Sequence, residues 1–170
     1  MQHAATALLP LSPASPMEAA EGRAVLAKHG RSFWLASLFL AGDQRDDAAL
    51  LYAFCREVDD LADETPDPAV ARRELAAVRD EIAGTRPARP FVAALLDVAR
   101  RRGLPLQAAR HIVDGVEGDL DLVRTPDDRS LMRYCYRVAG AVGLLMNGVI
   151  GVRDPDAQAF AVDLGLDHGG

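Results

Sequence analysis

Every long apolar segment of this chain is opened by a helix-start signal and closed by a helix stop, and nothing between those signals reads as strand. Ser15-Pro16-Met17-Glu18 offers an N-cap serine, a proline at the first helical position and a glutamate three residues after the cap. It predicts a helix to about Lys28, with Gly30 as the stop. A short apolar segment follows from Arg31 to Ala41. Asp43 opens a longer helix through Glu64, ended by Thr65-Pro66. Asp67-Pro68 opens the next, ending near Gly84, and Pro90 to Arg102 forms another, with Gly103 just beyond three arginines suited to a helix C-terminus. Pro105 to about Val123 and Asp127 to about Ile150 complete the long elements, and Asp154-Pro155 starts a last short one. No Val/Ile/Thr-rich alternating runs lie between hairpin turns. The expected fold is all-α, with short loops favouring antiparallel neighbours.

Composition narrows the function classes. Hydrophobic residues make up 49% and charged residues 26% of 170 residues, an ordinary globular mixture expected to form one domain. Residues 1–15 read as a disordered lead and 16–170 as the helical domain. The net charge of −6 argues against a nucleic-acid partner and suits a protein that binds cations or cation-bridged anions. Cys55 and Cys135 form no disulfide framework and no Cys-x-x-Cys pair, which points to a reducing, cytoplasmic setting where both are small buried hydrophobes. The first sixteen residues carry no Lys or Arg, so no secretory signal is read. The uncharged stretch Val138 to Val152 is Gly-rich and shorter than the roughly 20 apolar residues of a membrane span. It is read as a buried helix, which leaves peripheral membrane contact open. His3, His111 and His168 have no ligand spacing, so zinc is not expected.

The informative segment is Leu50 to Glu64. At about 100° per residue, Leu51, Phe54, Val58 and Leu61 share a core stripe, while Tyr52, Arg56, Asp59 and Asp63 share another face. Asp59 and Asp63 are one turn apart and repel by a few tenths of a kcal/mol in a bare helix. They become useful if a divalent cation sits between them. Mg2+ takes one or two carboxylates and completes its shell with water and phosphate oxygens. Arg56 could fork onto a phosphate or onto Asp59. A charge run on a helix is more often a solvated face. The same bland reading is preferred for Asp114, Glu117 and Asp121, whose alternative is to line a pocket. Asp163 and Asp167, similarly spaced at a Gly-rich end, are given no metal role.

Tyr52-Ala-Phe-Cys-Arg-Glu-Val-Asp-Asp-Leu-Ala-Asp63 resembles the first aspartate-rich motif of the squalene and phytoene synthases, the head-to-head prenyl synthases. Three more segments agree in order: His29-Gly-Arg-Ser-Phe33, Asp114-Gly-Val-Glu-Gly-Asp-Leu120, and Tyr134-Cys-Tyr-Arg-Val-Ala-Gly-Ala-Val-Gly143. The resemblance covers Lys28 to about Gly165 and implies an isoprenoid-synthase-type helical bundle around an apolar cavity. It implies condensation of two farnesyl or geranylgeranyl diphosphates through a cyclopropylcarbinyl diphosphate, with Mg2+ or Mn2+ as cofactor. NADPH enters only if the product is squalene.

Carried onto this chain, the resemblance makes Asp59 and Asp63 the metal ligands, with Asp60 a neighbour of unassigned role, and Arg56 a diphosphate contact. His29 and Ser32 face the diphosphate region, Phe33 is cavity wall, Tyr134 stands near the cation and departing diphosphate, and Val138 and Gly143 border the prenyl tail. The structural alternatives are a locally bonded core Tyr134, loop or capping roles for His29 and Ser32, a core Phe33, and close helix packing at the glycines and alanines of 139–143. Asp163-Leu-Gly-Leu166 resembles the start of the segment that precedes the family's second aspartate-rich motif, and no such motif follows in these residues. The domain is therefore expected to be incomplete and inactive alone, the alternative being a non-catalytic relative that binds prenyl diphosphate or docks on a partner chain.

Overall fold

The computed structural model describes residues 17–29, 37–120 and 140–151. The described residues form helices α1 (Ala19–His29), α2 (Gly42–Asp63), α3 (Pro68–Ala83), α4 (Pro90–Arg102), α5 (Leu106–Asp119) and α6 (Ala141–Ile150), with no strand among them. The helix stops behave as their chemistry requires. Gly84 and Gly103 close α3 and α4 at φ 75° and 68°, left-handed positions where a Cβ would be strained. Asp67 caps α3 by accepting the Ala69 N–H at 2.8 Å.

Three boundaries differ from the sequence expectation. Met17 and Glu18 are not helical, because the Met17 N–H donates to the Pro90 carbonyl at 3.0 Å; α1 starts at Ala19 instead of Pro16. Ala41, not Asp43, is the cap of α2, with the Ala41 N–H held by Gln44 Oε1 at 3.3 Å. Helix α5 closes at Asp119, where the Leu120 N–H turns back to the Glu117 carbonyl at 3.2 Å. The start signal at Ser15-Pro16, the stop at Gly30, the segment 31–36, the first part of the Asp127 helix and the Asp154-Pro155 element lie outside the described residues.

Helix α2 is the hub and packs against every other described helix. Its predicted stripe explains this: Leu51, Phe54 and Val58 are buried, and Leu61 packs against the same core. Around it gather Leu75 and Val78 of α3, Val92, Leu95 and Val98 of α4, Val113 of α5, and Leu145 and Val149 of α6. Each such side chain contributes about 1.5–3 kcal/mol when withdrawn from water. Phe54 meets Phe91 at a ring separation of 6.1 Å.

Polar contacts set the register. Arg101 forks onto the buried carboxylate of Asp47 at 2.7 and 3.0 Å, while Arg102 donates Nε to Asp47 at 2.6 Å and Nη2 to Asp43 at 2.8 Å, which fixes α4 antiparallel to α2. Gln44 Nε2 donates to the Ile150 carbonyl at 3.0 Å, so the end of α6 meets the start of α2. The uncharged stretch that raised the membrane question is helical over Ala141–Ile150, and among the described residues no helix is long and apolar enough to cross a membrane.

Candidate functional site

Antiparallel packing of α2 and α6 leaves a gap between them. Ala141, Leu145 and Val149 repeat every fourth residue and turn into the core, which leaves the neighbouring face of α6 toward the gap. The result is an apolar cavity of about 200 Å³ lined by Leu51, Tyr52 and Cys55 of α2 and by Val142, Leu145 and Met146 of α6. The α2 side of this lining continues directly into the acidic residues. Asp59 lies one turn beyond Cys55, and Asp63 one turn beyond Asp59. From Leu51 to Asp59 the helix rises about 12 Å.

Asp59 is partly buried, whereas Asp63 is exposed at the last turn of α2. The Asp59 carboxyl is held above its ordinary value. Burial is the main cause, Arg56 opposes it, and the charges of Asp63, Asp60 and Asp119 add to it. Asp119 thus brings a negative field from the end of α5 onto the same acidic group.

Among the described residues the ion pair of Arg56 is with Asp60, one turn away, where i,i+4 spacing lets the side chains meet, and its charge also acts on Asp59. Asp114 and Glu117 bind Arg79 of α3 at 2.9 and 2.7 Å and clamp α5 to α3, with 38% and 29% of their side chains left exposed.

Burial pushes the Cys55 thiol up to about 12, with the Asp59 charge adding to it. Cys55 is free of disulfides and packs against the core, but it also lines the cavity, which the small-hydrophobe reading did not foresee. Burial likewise raises the Tyr52 phenol, so both groups stay protonated near neutrality. The sign of the linkage follows. The unfolded thiol ionises near pH 9 and the folded one near 12, so stability falls as pH rises through that window. Alkylation of Cys55 at pH 8 is expected to be about 1,000-fold slower than that of an exposed thiol. Peptide mapping after timed iodoacetamide treatment measures this, and rapid labelling in the folded chain contradicts it.

Gly143 follows the cavity-lining Val142, and a Cβ there would meet no heavy atom within 4 Å. Close helix packing therefore does not explain it. His29 is the last residue of α1, which packs on α2. Ser32, Phe33, Tyr134, Val138, Cys135 and Asp121 lie outside the described residues. Sequence reasoning missed Leu145 and Met146 as cavity wall, although their spacing from Val142 is helical and was readable. It also missed Asp119, which reaches the site only through the packing of α5 on α2.

Among the described residues no group of three or more His, Cys, Asp or Glu side chains is gathered as a metal cage. The donors present, a partly buried and an exposed carboxylate one turn apart, match instead a hard ion that keeps most of its shell as water and phosphate oxygen.

Known proteins resemble this chain over most of its length. The squalene/phytoene synthase family model matches residues 26–167. A presqualene diphosphate synthase from Rhodopseudomonas palustris is 37% identical over 141 residues, covering 80% of this chain and 50% of its own length. A 15-cis-phytoene synthase from a Paracoccus species is 36% identical over 157 residues, covering 83% of this chain and 50% of its own. The crystal structure of a dehydrosqualene synthase in complex with ligand superposes with a TM-score of 0.68 at 29% identity, covering 77% of this chain and 46% of that one. The chain spans about half the length of the curated relatives it matches. The all-α bundle is that of an isoprenoid synthase, and the chain belongs to the squalene/phytoene synthase family.

Proposed function

We propose that this chain carries the diphosphate-gripping half of a head-to-head prenyl transferase. The observation that carries the reading is the continuous stripe on α2. It runs from an apolar cavity at Leu51, Tyr52 and Cys55 to the partly buried Asp59 and the exposed Asp63. That order suits an amphiphile with a greasy tail and a doubly charged head. The cavity of about 200 Å³ is smaller than the roughly 300–1,000 Å³ of a complete small-molecule pocket, so it takes part of a farnesyl or geranylgeranyl tail.

Asp59 and Asp63 would hold Mg2+ or Mn2+, which when bound neutralises diphosphate charge and makes it a better leaving group. Arg56 supplies a second positive charge to the same oxygens. The cavity wall keeps water from an allylic cation, and the protonated Cys55 and Tyr52 offer it little nucleophilic character. The second prenyl diphosphate would then add through its double bond and lose a proton to give a cyclopropylcarbinyl diphosphate, the product that the motif resemblance implies. His29, Ser32 and Tyr134 are assigned to the diphosphate end, and Phe33, Val138 and Gly143 to the tail. NADPH is needed only if the product is squalene. Cytoplasmic placement with contact at a membrane surface suits lipid substrates and the free Cys55 thiol.

The test incubates residues 1–170 with Mg2+ and farnesyl or geranylgeranyl diphosphate, measures binding calorimetrically, and extracts hydrocarbon and diphosphate products. Magnesium-dependent binding with little or no turnover is expected, since these residues hold one aspartate helix of this type. Robust product would show that one such helix suffices. Absence of binding with magnesium would remove the reading.

A further inference from the structure

Arg56 has the capacity for two anions, and among the described residues its ion pair is with one, Asp60. Its Nη2 lies against Asp60 Oδ1. Arg56 Nε, by contrast, is buried with no hydrogen-bond partner among the described residues. A guanidinium presents five N–H donors in a planar fork, and one ion contact uses little of that capacity. A buried donor left unpaired is costly and calls for an explanation, which an absent acceptor would supply. The two side chains are 32% and 29% exposed, so the pair can open without disturbing the core beneath it. Asp59 lies one helical turn beyond the cavity-lining Cys55 and three residues from Arg56.

We infer that Asp60 is a positioning residue. Its carboxylate holds Arg56 while the site is empty and yields it to the diphosphate when substrate enters. This rests on the diphosphate reading above. The exchange replaces a single contact with a bidentate, charge-assisted one to phosphate oxygens, the geometry that arginine favours. Asp60 thereby keeps Arg56 extended along α2 and sets a threshold that weaker anions do not cross.

The probe is inorganic pyrophosphate with Mg2+, titrated calorimetrically into residues 1–170. Asp60→Asn removes the competing charge at nearly constant size and is expected to tighten pyrophosphate by about three- to tenfold. Asp60→Ser carries the same expectation and covers a failure of the first variant to fold. In an Arg56→Ala background the gain should vanish, because the competition passes through Arg56. Unchanged or weaker binding in both Asp60 variants overturns the inference. So does a gain that persists without Arg56, which would make it a general charge effect. If the wild-type chain binds no pyrophosphate with magnesium, the diphosphate reading falls and this inference with it. Normal wild-type binding with no response at Asp60 sinks this inference alone.

Discussion

Replacing Asp59 with alanine is expected to weaken magnesium-dependent binding of farnesyl diphosphate by about 100-fold or more, while raising the thermal midpoint of the metal-free chain. The affinity loss follows from position. Asp59 is the partly buried carboxylate on the cavity stripe, and Asp63 beyond it is exposed. Residues that merely orient a metal ligand typically cost about 10–100-fold when removed, so a ligand should cost at least the upper end. The stability gain follows from the same environment. Burial and the nearby charges of Asp63, Asp60 and Asp119 hold the folded Asp59 carboxyl above its ordinary 3.8. A carboxylate of that kind opposes folding above its folded value and costs nothing below pH 3.8, where both states are protonated. The variant should therefore melt higher at neutral pH, by a few degrees, and the advantage should disappear in acid. Calorimetric titration and paired melting curves at pH 7 and pH 3 measure both effects. A variant that loses affinity and stability together would mean that Asp59 supports the fold rather than the ligand.

Whether an interaction is local or long-range decides which parts of the molecule are legible in its sequence. Helix stops are local events. Gly84, Gly103 and the Asp67 cap act through their own backbone and neighbouring N–H groups, so their positions followed from residue type. The core stripe of α2 was equally legible, because burial repeats with the helical period. Partner choice was less so. Arg56 had two acidic residues within a turn, and only side-chain direction along the helix selected Asp60 over Asp59. Asp114 and Glu117 found Arg79 on a helix separated from them by a full element, which no local pattern encodes. The cavity lay further still from view. Leu51 and Tyr52 show one helix side of it, but a hollow exists only where a second helix fails to fill the space, as Val142 and Met146 do here.

The same lesson applies to the charges that carry no substrate, and the strongest case is Arg89. Replacing it with alanine is expected to destabilise the chain by about 3–5 kcal/mol, a large part of the roughly 5–15 kcal/mol that holds a domain together. Arg89 stands at the start of α4 and reaches back to the end of α3. Its Nε donates to both Glu81 carboxylate oxygens at 2.9 and 3.0 Å, and its Nη2 meets Glu81 Oε1 at 2.9 Å and Glu74 Oε2 at 3.2 Å. The asymmetry of burial decides the size of the effect. The Glu81 side chain is 2% exposed and that of Arg89 22%, so removing the arginine strands the more deeply buried charge. Among the described residues, the backbone N–H of position 89, at 3.0 Å from Glu81 Oε2, would remain to face that carboxylate. The guanidinium also lies 5.7 Å from the Phe91 ring centre, and that contact goes with it. Desolvation already consumes much of what such a pair gains, so the pair itself adds little net stability, and replacing both members with Glu81→Leu and Arg89→Met should cost far less than losing the arginine alone. Arg100→Ala serves as the control. Its side chain is 78% exposed, and its bond to Asp97 belongs to the class of surface pairs worth about 0–1 kcal/mol. Urea unfolding of the four proteins at constant slope separates these cases. An Arg89→Ala midpoint close to that of the Arg100 control would show that Glu81 finds water or a proton cheaply, and that the joint between α3 and α4 is held by its apolar contacts alone.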